Sequence, residues 1–419
     1  MPFLLLLLML ILISAAPVAA ADEAATEILP GASVESIHQW LRRHNPSLSA
    51  LALDTEAAEE RVDLAAAWPD PRFAVELRDI DIDRPRLLPG QTGSTRYLLR
   101  QSLPLWGKRE LAREQARAEA DATASARDAT ELELLASADR AYVRYWQTEQ
   151  SLRVLEHILG RLDDLRALAE SRYAAGLAQQ QDALQAAVEL TRMRGEQIRR
   201  RAEGQAAAAA LNAALGRSPL APLAPPEGRP QLPVDQRLEA LLAQAPAAHP
   251  RVQMEQELAA AAEREQELTR RQRYPDLNLG LGLIQAGSQL RAFELMFEIE
   301  LPLQRTALHQ RERIAALRSE AALTRREAAL NQIRGELASA HARWFGARAQ
   351  RQLIEDTLLL EAETAYVSSL ASYGNSAVDF GTLLQALRQN LAAELDHVDA
   401  LEAELLAAAD VRALTGDAQ

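Results

Sequence analysis

The residue types that most often do chemistry in proteins are scattered along this chain of 419 residues. Cysteine is absent, which excludes Cys nucleophiles, disulfides, thiolate zinc sites and an N-terminal lipid on Cys. No two of the seven histidines have the helical spacing of metal ligands. A Walker loop, an HExxH motif and a Gly-x-Ser-x-Gly motif are also absent, and Gly280-Leu-Gly282 lacks the third glycine of a dinucleotide-binding loop. We therefore predict no enzyme, no cofactor and no specific metal site.

Carboxylates form one regular pattern, between Phe293 and Leu301. Apolar residues at every second position alternate there with Glu294, Met296, Glu298 and Glu300. A weaker copy occurs earlier, where Phe73, Val75 and Leu77 alternate with Ala74, Glu76 and Arg78. A period of two puts the two sets on opposite faces of a strand. A half-buried soluble strand would alternate as well, but in an exported protein the pattern is typical of a water-filled membrane barrel. We then expect Glu294, Glu298 and Glu300 to face the lumen.

The first 21 residues indicate export. An apolar core from Leu4 to Ile13 precedes small residues, Ala15 to Ala21, at the spacing of a signal-peptide cleavage site. The apolar run is shorter than the roughly 20 residues of a transmembrane helix. An exported chain without disulfides is typical of the bacterial periplasm or outer membrane. We predict the outer membrane, with a long periplasmic part and no lipid on Cys.

Charge and proline distribution restrict the fold. The formal net charge is −13, and no basic face points to nucleic acid. The 18 glycines are fewer than the usual ~7% would give, which disfavours a turn-rich porin. Proline is absent from 105–218 and from 303–419, and both stretches are rich in good helix formers. Because proline disrupts helices, these two stretches are able to form very long ones.

The chain is a tandem duplication. Trp68-Pro69-Asp70 recurs as Tyr274-Pro275-Asp276, and Leu103-Pro104-Leu105 recurs as Leu301-Pro302-Leu303. The second match has an offset of 198, which also relates Trp146 to Trp344, and the offset becomes 200 from Tyr173 and Tyr373 onward. An ordered series of this kind indicates two structural repeats. We assign 22–217 to the first repeat, 218–236 to a Pro-rich linker and 237–419 to the second repeat.

Each repeat has the same predicted order of elements. A helix (47–68 and 251–274) precedes a β-hairpin within 72–103 or 277–301, and a long helical hairpin within 106–214 or 304–413 follows. Leucines in the hairpins step by three and four, as in coiled coils. Helices of about sixty residues would span roughly 100 Å. We expect the helix before the strands and the returning helix to lie end to end beside the long one.

The strand count implies an oligomer. Four strands per chain cannot close a membrane barrel, since the smallest have about eight. Open sheet edges are not tolerated in lipid, because their backbone groups would lack hydrogen-bond partners. The predicted fold is therefore mainly α with a membrane β-barrel part, and several subunits share the barrel.

The chain resembles the TolC-type outer-membrane efflux factors. The duplication carries this resemblance, together with Gln101-Ser-Leu-Pro-Leu-Trp-Gly-Lys-Arg109, Tyr173-Ala-Ala-Gly176, Asp182-Ala-Leu-Gln-Ala186 and Leu215-Gly216. The second repeat departs from the pattern, with Tyr373-Gly-Asn-Ser376 and with Gln304-Arg305 after its hairpin. The starting Asn-Pro, the Pro-Asp-Pro before the first strand and Gly107-Lys108-Arg109 are most similar to the heavy-metal cation-efflux branch.

The resemblance implies an assembly and a role. Family members form a homotrimer, with a twelve-stranded barrel in the outer membrane and a twelve-helix periplasmic barrel. They serve as the exit duct of tripartite pumps, joined through a periplasmic adaptor protein to an inner-membrane transporter, here of the RND type. The implied cargo is heavy-metal cations or other small toxic compounds.

The tips of the helical hairpins are the expected sites. Asp182 and Asp379 lie just past the predicted tip turns, where threefold repetition would form rings of like charge that attract cations. We assign them as candidate gate residues. Tyr173, Gly176, Tyr373 and Gly374 are candidates for shaping the tips for adaptor docking, although the tyrosines could instead simply pack between helices.

Other functions stay open at this stage. The chain could serve a drug-efflux pump or a type I secretion system instead. A periplasmic coiled-coil adaptor is a different class, but adaptors have one helical hairpin and not two equal halves. A secreted hydrolase lacks a supporting constellation of residues.

Overall fold

The computed structural model describes residues 29–83, 85–234 and 237–416, so the predicted signal peptide lies outside the described residues. It confirms a mainly helical chain with an antiparallel sheet. The elements of the first repeat are α1 (Val34–His44), α2 (Pro46–Ala66), β1 (Arg72–Arg78), β2 (Ser94–Leu103), α3 (Lys108–Ala174) and α4 (Gln180–Ala214). Those of the second are α5 (Leu238–Ala248), α6 (Pro250–Arg271), β3 (Leu277–Ala286), β4 (Gln289–Ile299), α7 (Arg305–Leu353), a π turn (Ile354–Leu358), α8 (Leu359–Gly374) and α9 (Phe380–Thr415).

The short helices α1 and α5 were not expected. Each is followed by a cap residue that precedes proline, Asn45 in the first repeat and His249 in the second. The residue before a proline is driven out of the helical conformation, which separates the two helices. The same residue then caps the next helix, because the side chain of Asn45 accepts from the Ser47 N–H and that of His249 from the Arg251 N–H. The Asn-Pro and His-Pro pairs therefore mark junctions between two helices.

The four strands form one sheet in the order β1-β2-β3-β4. β2 pairs with β3, with Thr95 opposite Gln285 and Leu103 opposite Leu277, so the sheet joins the two repeats. One face is apolar and exposed, and it includes Phe73, Val75, Leu99, Leu281, Phe293, Leu295, Phe297 and Ile299. The other face carries the charged residues of the strands, apart from Arg291, which the bulge in β4 leaves without a register partner. Among the described residues, β1 and β4 have no partner on their outer sides.

Most of the other helices pack along the two long helices, α3 and α7. α2 and α4 pack one after the other along α3, while α6 and α9 pack along α7. This is the end-to-end arrangement that the helix lengths predict. α3 also contacts α6 and α9, so it lies at the junction of the repeats. With 67 residues, α3 spans about 100 Å. No helix within the described ranges combines the length and the hydrophobicity that crossing a membrane requires.

The second long helix is interrupted where the first is continuous. The π turn at Ile354–Leu358 separates α7 from α8. It lies between Trp344 and Tyr373, the interval in which the repeat offset grows from 198 to 200. A π turn has a wider backbone ring than an α turn, so it takes up extra length while the flanking helices keep their packing faces.

Candidate functional site

Both helical hairpins turn at the end farthest from the sheet, and their turns have the same backbone form. In the first tip Gly176 has φ +73°, and the Leu177 N–H donates to the Arg172 carbonyl at 2.9 Å. In the second tip Ser376 occupies this left-handed position with φ 59°, and the Ala377 N–H donates to the Ser372 carbonyl at 2.9 Å. Both arrangements satisfy the last carbonyls of a helix. Gly374 is the final residue of α8 and does not make the turn.

The two tips are joined by direct contacts. The Arg172 guanidinium donates to the Gly374 carbonyl at 2.6 Å and to the Ser376 hydroxyl at 2.6 Å, and it lies 4.9 Å from the centre of the Tyr373 ring. The Tyr373 hydroxyl donates to the Asp182 carboxylate at 3.0 Å. We call these five residues the tip contact. Two of them, Arg172 and Asp182, belong to the first repeat, and they hold three residues of the second.

The predicted tip tyrosines lie in different surroundings. Tyr173 is 49% exposed, whereas Tyr373 is 3% exposed and packs edge-on against the buried Phe380 at 5.5 Å. Burial, followed by the hydrogen bond to Asp182, raises the pKa of Tyr373 to about 12. Tyr373 is therefore a neutral donor at physiological pH. It anchors the second tip to the leucine-rich core between the hairpins.

The predicted gate carboxylates also differ. Asp182 is half-buried and accepts the Tyr373 hydroxyl. Asp379 is exposed and caps its own helix, since it accepts from the Thr382 N–H at 2.7 Å. That backbone hydrogen bond holds the pKa of the Asp379 carboxyl below its ordinary value. Asp182 thus links two hairpins, and Asp379 stabilises one helix end.

Two further polar links between the hairpins were missed in the sequence. The Arg388 guanidinium donates to both oxygens of the buried Glu189, at 2.6 and 3.1 Å. Arg161 donates to Glu363 at 3.0 Å and to Asn390 at 2.7 Å. Asn390 is almost fully buried within the Leu384, Leu387 and Leu391 stripe. In the sequence, the polar Asn390 within a leucine stripe was the one sign of such a link. Its partners Arg161 and Glu363 lie 229 and 27 residues away, so no local pattern identifies them.

Two of the three glutamates predicted to face the lumen lie in a strand of the sheet. Glu294 and Glu298 lie on the charged face of β4. Glu300 follows the last residue of β4, so its assignment as a strand residue was wrong. Each of the two strand carboxylates contacts an arginine of β2, namely Arg96 at 2.5 Å and Arg100 at 3.5 Å. In the part of the chain that the structure describes, no group of three or more His, Asp or Glu residues is arranged to hold a metal ion.

The first repeat matches a known protein family. Residues 37–217, which are less than half of the chain, match the family model described as "Outer membrane efflux protein". The match covers most of α1 and everything from there to the end of α4, so it includes the first tip and Asp182. No curated protein matches the chain.

Solved structures match nearly the whole chain. The outer membrane protein VceC from Vibrio cholerae is 19% identical, with a TM-score of 0.73 over 91% of this chain and 96% of that chain. CusC, described in connection with transmembrane channel formation, is 19% identical, with a TM-score of 0.75 over 93% of both chains. The open state of the outer membrane channel MtrE from Neisseria gonorrhoeae is 17% identical, with a TM-score of 0.75 over 92% and 89%. The chain therefore has the fold of these outer-membrane channels, and its first repeat matches the outer membrane efflux protein family.

Proposed function

We propose that this protein is the outer-membrane exit duct of a tripartite efflux pump, built as a ring of identical subunits. The observation that carries the proposal is that the described residues of one chain form an open slab, with an unpartnered edge on either side. One edge consists of β1, α2 and α4, and the other of β4, α7 and α8. When the two edges of a subunit differ and fit each other, copies join head to tail and close into a ring.

Apolar stripes run along both helical edges. On α4, Leu184, Val188 and Ile198 are exposed. On the opposite edge, Leu353, Leu360 and Val367 are exposed and lie seven residues apart. Exposed leucines at heptad spacing favour packing against another helix. A second copy of the chain presents a complementary stripe, so we propose that α4 of one subunit packs on α7 and α8 of the next.

The sheet completes the ring in lipid. Its exposed apolar face fits the acyl region of a bilayer, and its charged face fits a water-filled lumen. Edge strands inside lipid must be paired, so β4 of one subunit pairs with β1 of the next. At least two copies are needed to reach the smallest known barrels. We propose three, because the TolC-type family that the chain resembles is trimeric.

The tips form the periplasmic gate of the proposed duct. The tip contact holds the second-repeat tip against the first, so opening requires Tyr373 to leave Asp182 and Arg172 to release Gly374 and Ser376. Three Asp182 carboxylates around one axis would also attract cations. A periplasmic adaptor would dock on the tips, and an inner-membrane transporter of the RND type would supply the cargo. We propose heavy-metal cations or other small toxic compounds as that cargo.

Assembly and conduction test the proposal together. The mature protein in mild detergent is expected to behave as a trimer by light scattering, and its circular dichroism is expected to be mainly helical. It should form channels in planar bilayers. A stable monomer without detergent would contradict the shared barrel.

Substitutions at the tips then test the gate. Asp182→Ala should raise single-channel conductance and weaken block by divalent cations added on the periplasmic side, because it removes both the carboxylate ring and the anchor of Tyr373. Asp379→Ala should act in the same direction but more weakly, since Asp379 binds only its own helix. Glu227→Ala, in the linker, is the control and should leave both properties unchanged. If Asp182→Ala matches the parent in both properties, Asp182 does not contribute to the gate.

A further inference from the structure

We infer that the charged face of the sheet is a wall without excess negative charge that passes solutes of either sign, and that Arg96 is the residue that keeps it from selecting cations. The inference rests on the proposed function, since it concerns the lumen of the same channel. It names a specificity-determining residue and the class of solute that the membrane part admits. The carboxylates of β4 by themselves suggest the opposite, a cation-selective wall.

Four side chains of alternating charge cross the sheet in a line. Arg78 Nη2 lies 2.6 Å from Glu76 Oε2, and the same oxygen lies 3.3 Å from Arg96 Nη1. Arg96 Nε in turn lies 2.5 Å from Glu294 Oε2. We call Arg78, Glu76, Arg96 and Glu294 the charge chain. It runs from β1 over β2 to β4, it joins the two repeats, and its formal charge is zero.

Arg96 is the central member of the charge chain. It contacts a carboxylate of each repeat, and its side chain is only 17% exposed, less than that of the other three members. An arginine with two carboxylate partners is held more firmly than one with a single partner, because its planar guanidinium offers several donors in fixed directions. Its charge is therefore positioned between the two glutamates and compensates both.

A glycine makes the connection to Glu294 possible. β3 lies between β2 and β4, and Gly282 is opposite both Leu98 and Glu294. A Cβ atom at position 282 would lie 3.3 Å from Glu294 Oε2 and 3.3 Å from Glu294 Cβ, which is a tight contact. Without that atom, the Glu294 side chain extends over β3 to Arg96.

The remaining strand carboxylate is compensated in the same way. Glu298 Oε2 lies 3.5 Å from Arg100 Nη1, and Glu298 also accepts from the Asn278 amide at 3.4 Å. The charged face within the strands thus has four arginines and three glutamates, namely Arg72, Arg78, Arg96, Arg100, Glu76, Glu294 and Glu298. The excess of carboxylates that β4 alone indicates does not exist on the assembled face.

Pairing at these distances removes the long-range effect of the charges. At physiological ionic strength the field of an exposed charge decays over about 8 Å, and opposite charges a few ångströms apart cancel beyond that distance. A solute in the lumen therefore meets paired charges and one further arginine per subunit, Arg72 at the start of β1, and no excess of negative charge. Such a wall admits cations, anions and zwitterions alike, so a preference for cations in the duct must come from the tips.

Ion selectivity tests the inference. Channels in planar bilayers under a KCl gradient give the permeability ratio of K⁺ to Cl⁻. Arg96→Gln leaves the charge chain with one negative charge per subunit. If the lumen potential changes by about one kT, cations are enriched and anions depleted about threefold each, so the ratio rises roughly sevenfold. Glu294→Gln leaves one positive charge, and the ratio should fall by a similar factor. The double variant is neutral again and should return to the parent ratio.

Two controls separate charge from other effects. Arg96→Lys keeps the charge and should keep the parent ratio. Arg43→Gln removes an exposed arginine of α1, outside the sheet, and should change nothing. If Arg96→Gln fails to assemble, Glu294→Gln and the double variant carry the test. Assembled variants that all share the parent ratio would overturn the inference alone. A parent chain that forms no channel at all would overturn the proposed function, and the inference with it.

Discussion

The first and second repeats have the same order of elements, yet their tips have different roles in the contact between them. The first tip exposes Tyr173 and sends Arg172 across to the second. The second tip buries Tyr373, and at the position equivalent to Arg172 it has Ser372, which makes no such reach. The first repeat provides the charged side chains of the tip contact, Arg172 and Asp182, and the second provides their partners, which include Tyr373. Equal motifs in two repeats therefore do not imply equal roles.

The helices above the tips differ in the same sense. α3 is continuous through 67 residues, whereas the second repeat divides the equivalent length between α7, a π turn and α8. The tip that is held by its neighbour is thus also the one whose helix is interrupted. Because a π turn interrupts the regular α-helical hydrogen-bond ladder, we expect the second hairpin to be the more deformable of the two.

Removing the buried ring should have the largest effect. Tyr373→Ala deletes a fully packed aromatic side chain, and we expect it to destabilise the second tip by about 3 kcal/mol or more. Tyr173→Ala should change stability by no more than about 0.5 kcal/mol, because that ring is largely in solvent. Hydrogen exchange of amides in 366–384 measures the local effect. Equal effects of the two substitutions would contradict the asymmetry between the tips.

A charge on the apolar sheet face should have the next largest effect. β4 spans Gln289–Ile299, so Leu295 lies nearer its centre than Phe297 does. Leu295→Arg should cost about 2–4 kcal/mol at the bilayer midplane, and Phe297→Arg should cost less because it is nearer the interface. Denaturant titration of the folded protein in lipid vesicles measures both. Glu298→Gln, on the charged face, is the matched control and should still assemble. A cost for Phe297→Arg above that for Leu295→Arg would reverse the assigned depth.

The tip hydroxyl should contribute less, with a distinct pH dependence. Tyr373→Phe removes the hydrogen bond to Asp182 and should cost about 1 kcal/mol. The pKa of Tyr373 is raised from 10 to about 12, so its contribution is complete below pH 10 and is lost as the pH rises to about 12. Tyr142 also has a pKa of about 12, so the relevant quantity is the difference in stability between parent and variant. A difference that stays constant from pH 8 to 12 would exclude ionisation of Tyr373 as its source. Tyr173→Phe is the control.

The helix caps provide the smallest and most local comparison. Asp379 caps α9 through its side chain, while Gln179, at the equivalent start of α4, makes no such bond. Asp379→Ala should speed hydrogen exchange in the first turn of α9, and Gln179→Ala should leave α4 unchanged. The pKa of Asp379 is lowered, so its cap is complete at neutral pH and is lost as the pH falls through that lowered value. No change in exchange at the Thr382 amide in the Asp379→Ala variant would show that the cap is dispensable.

Part of the fold was predictable because local patterns encode it. The strands of both hairpins follow from alternation with a period of two, and the long helices follow from proline-free stretches of good helix formers. α1 and α5 were missed because the first helix of each repeat was predicted to begin at 47 and 251, just after Asn45-Pro46 and His249-Pro250, whereas each pair joins two helices. Of the candidate sites, Asp182 was assigned to the tip from its position after the turn, and its partner Tyr373 was assigned only to its own tip.

By itself the sequence determined the duplication, the kinds of element, their order and the existence of two chemically different faces on each strand. The kinds of element and the two faces depend on residues close together in the chain, and the duplication follows from residue types that recur at an offset of 198 to 200. Only the tertiary structure decided which side chains meet. Arg96 and Glu294 are 198 residues apart, and Tyr373 and Asp182 are 191 apart. Such pairs depend on strand register and on the docking of helices. Both are set by many residues that pack together, so no local pattern specifies the pairs.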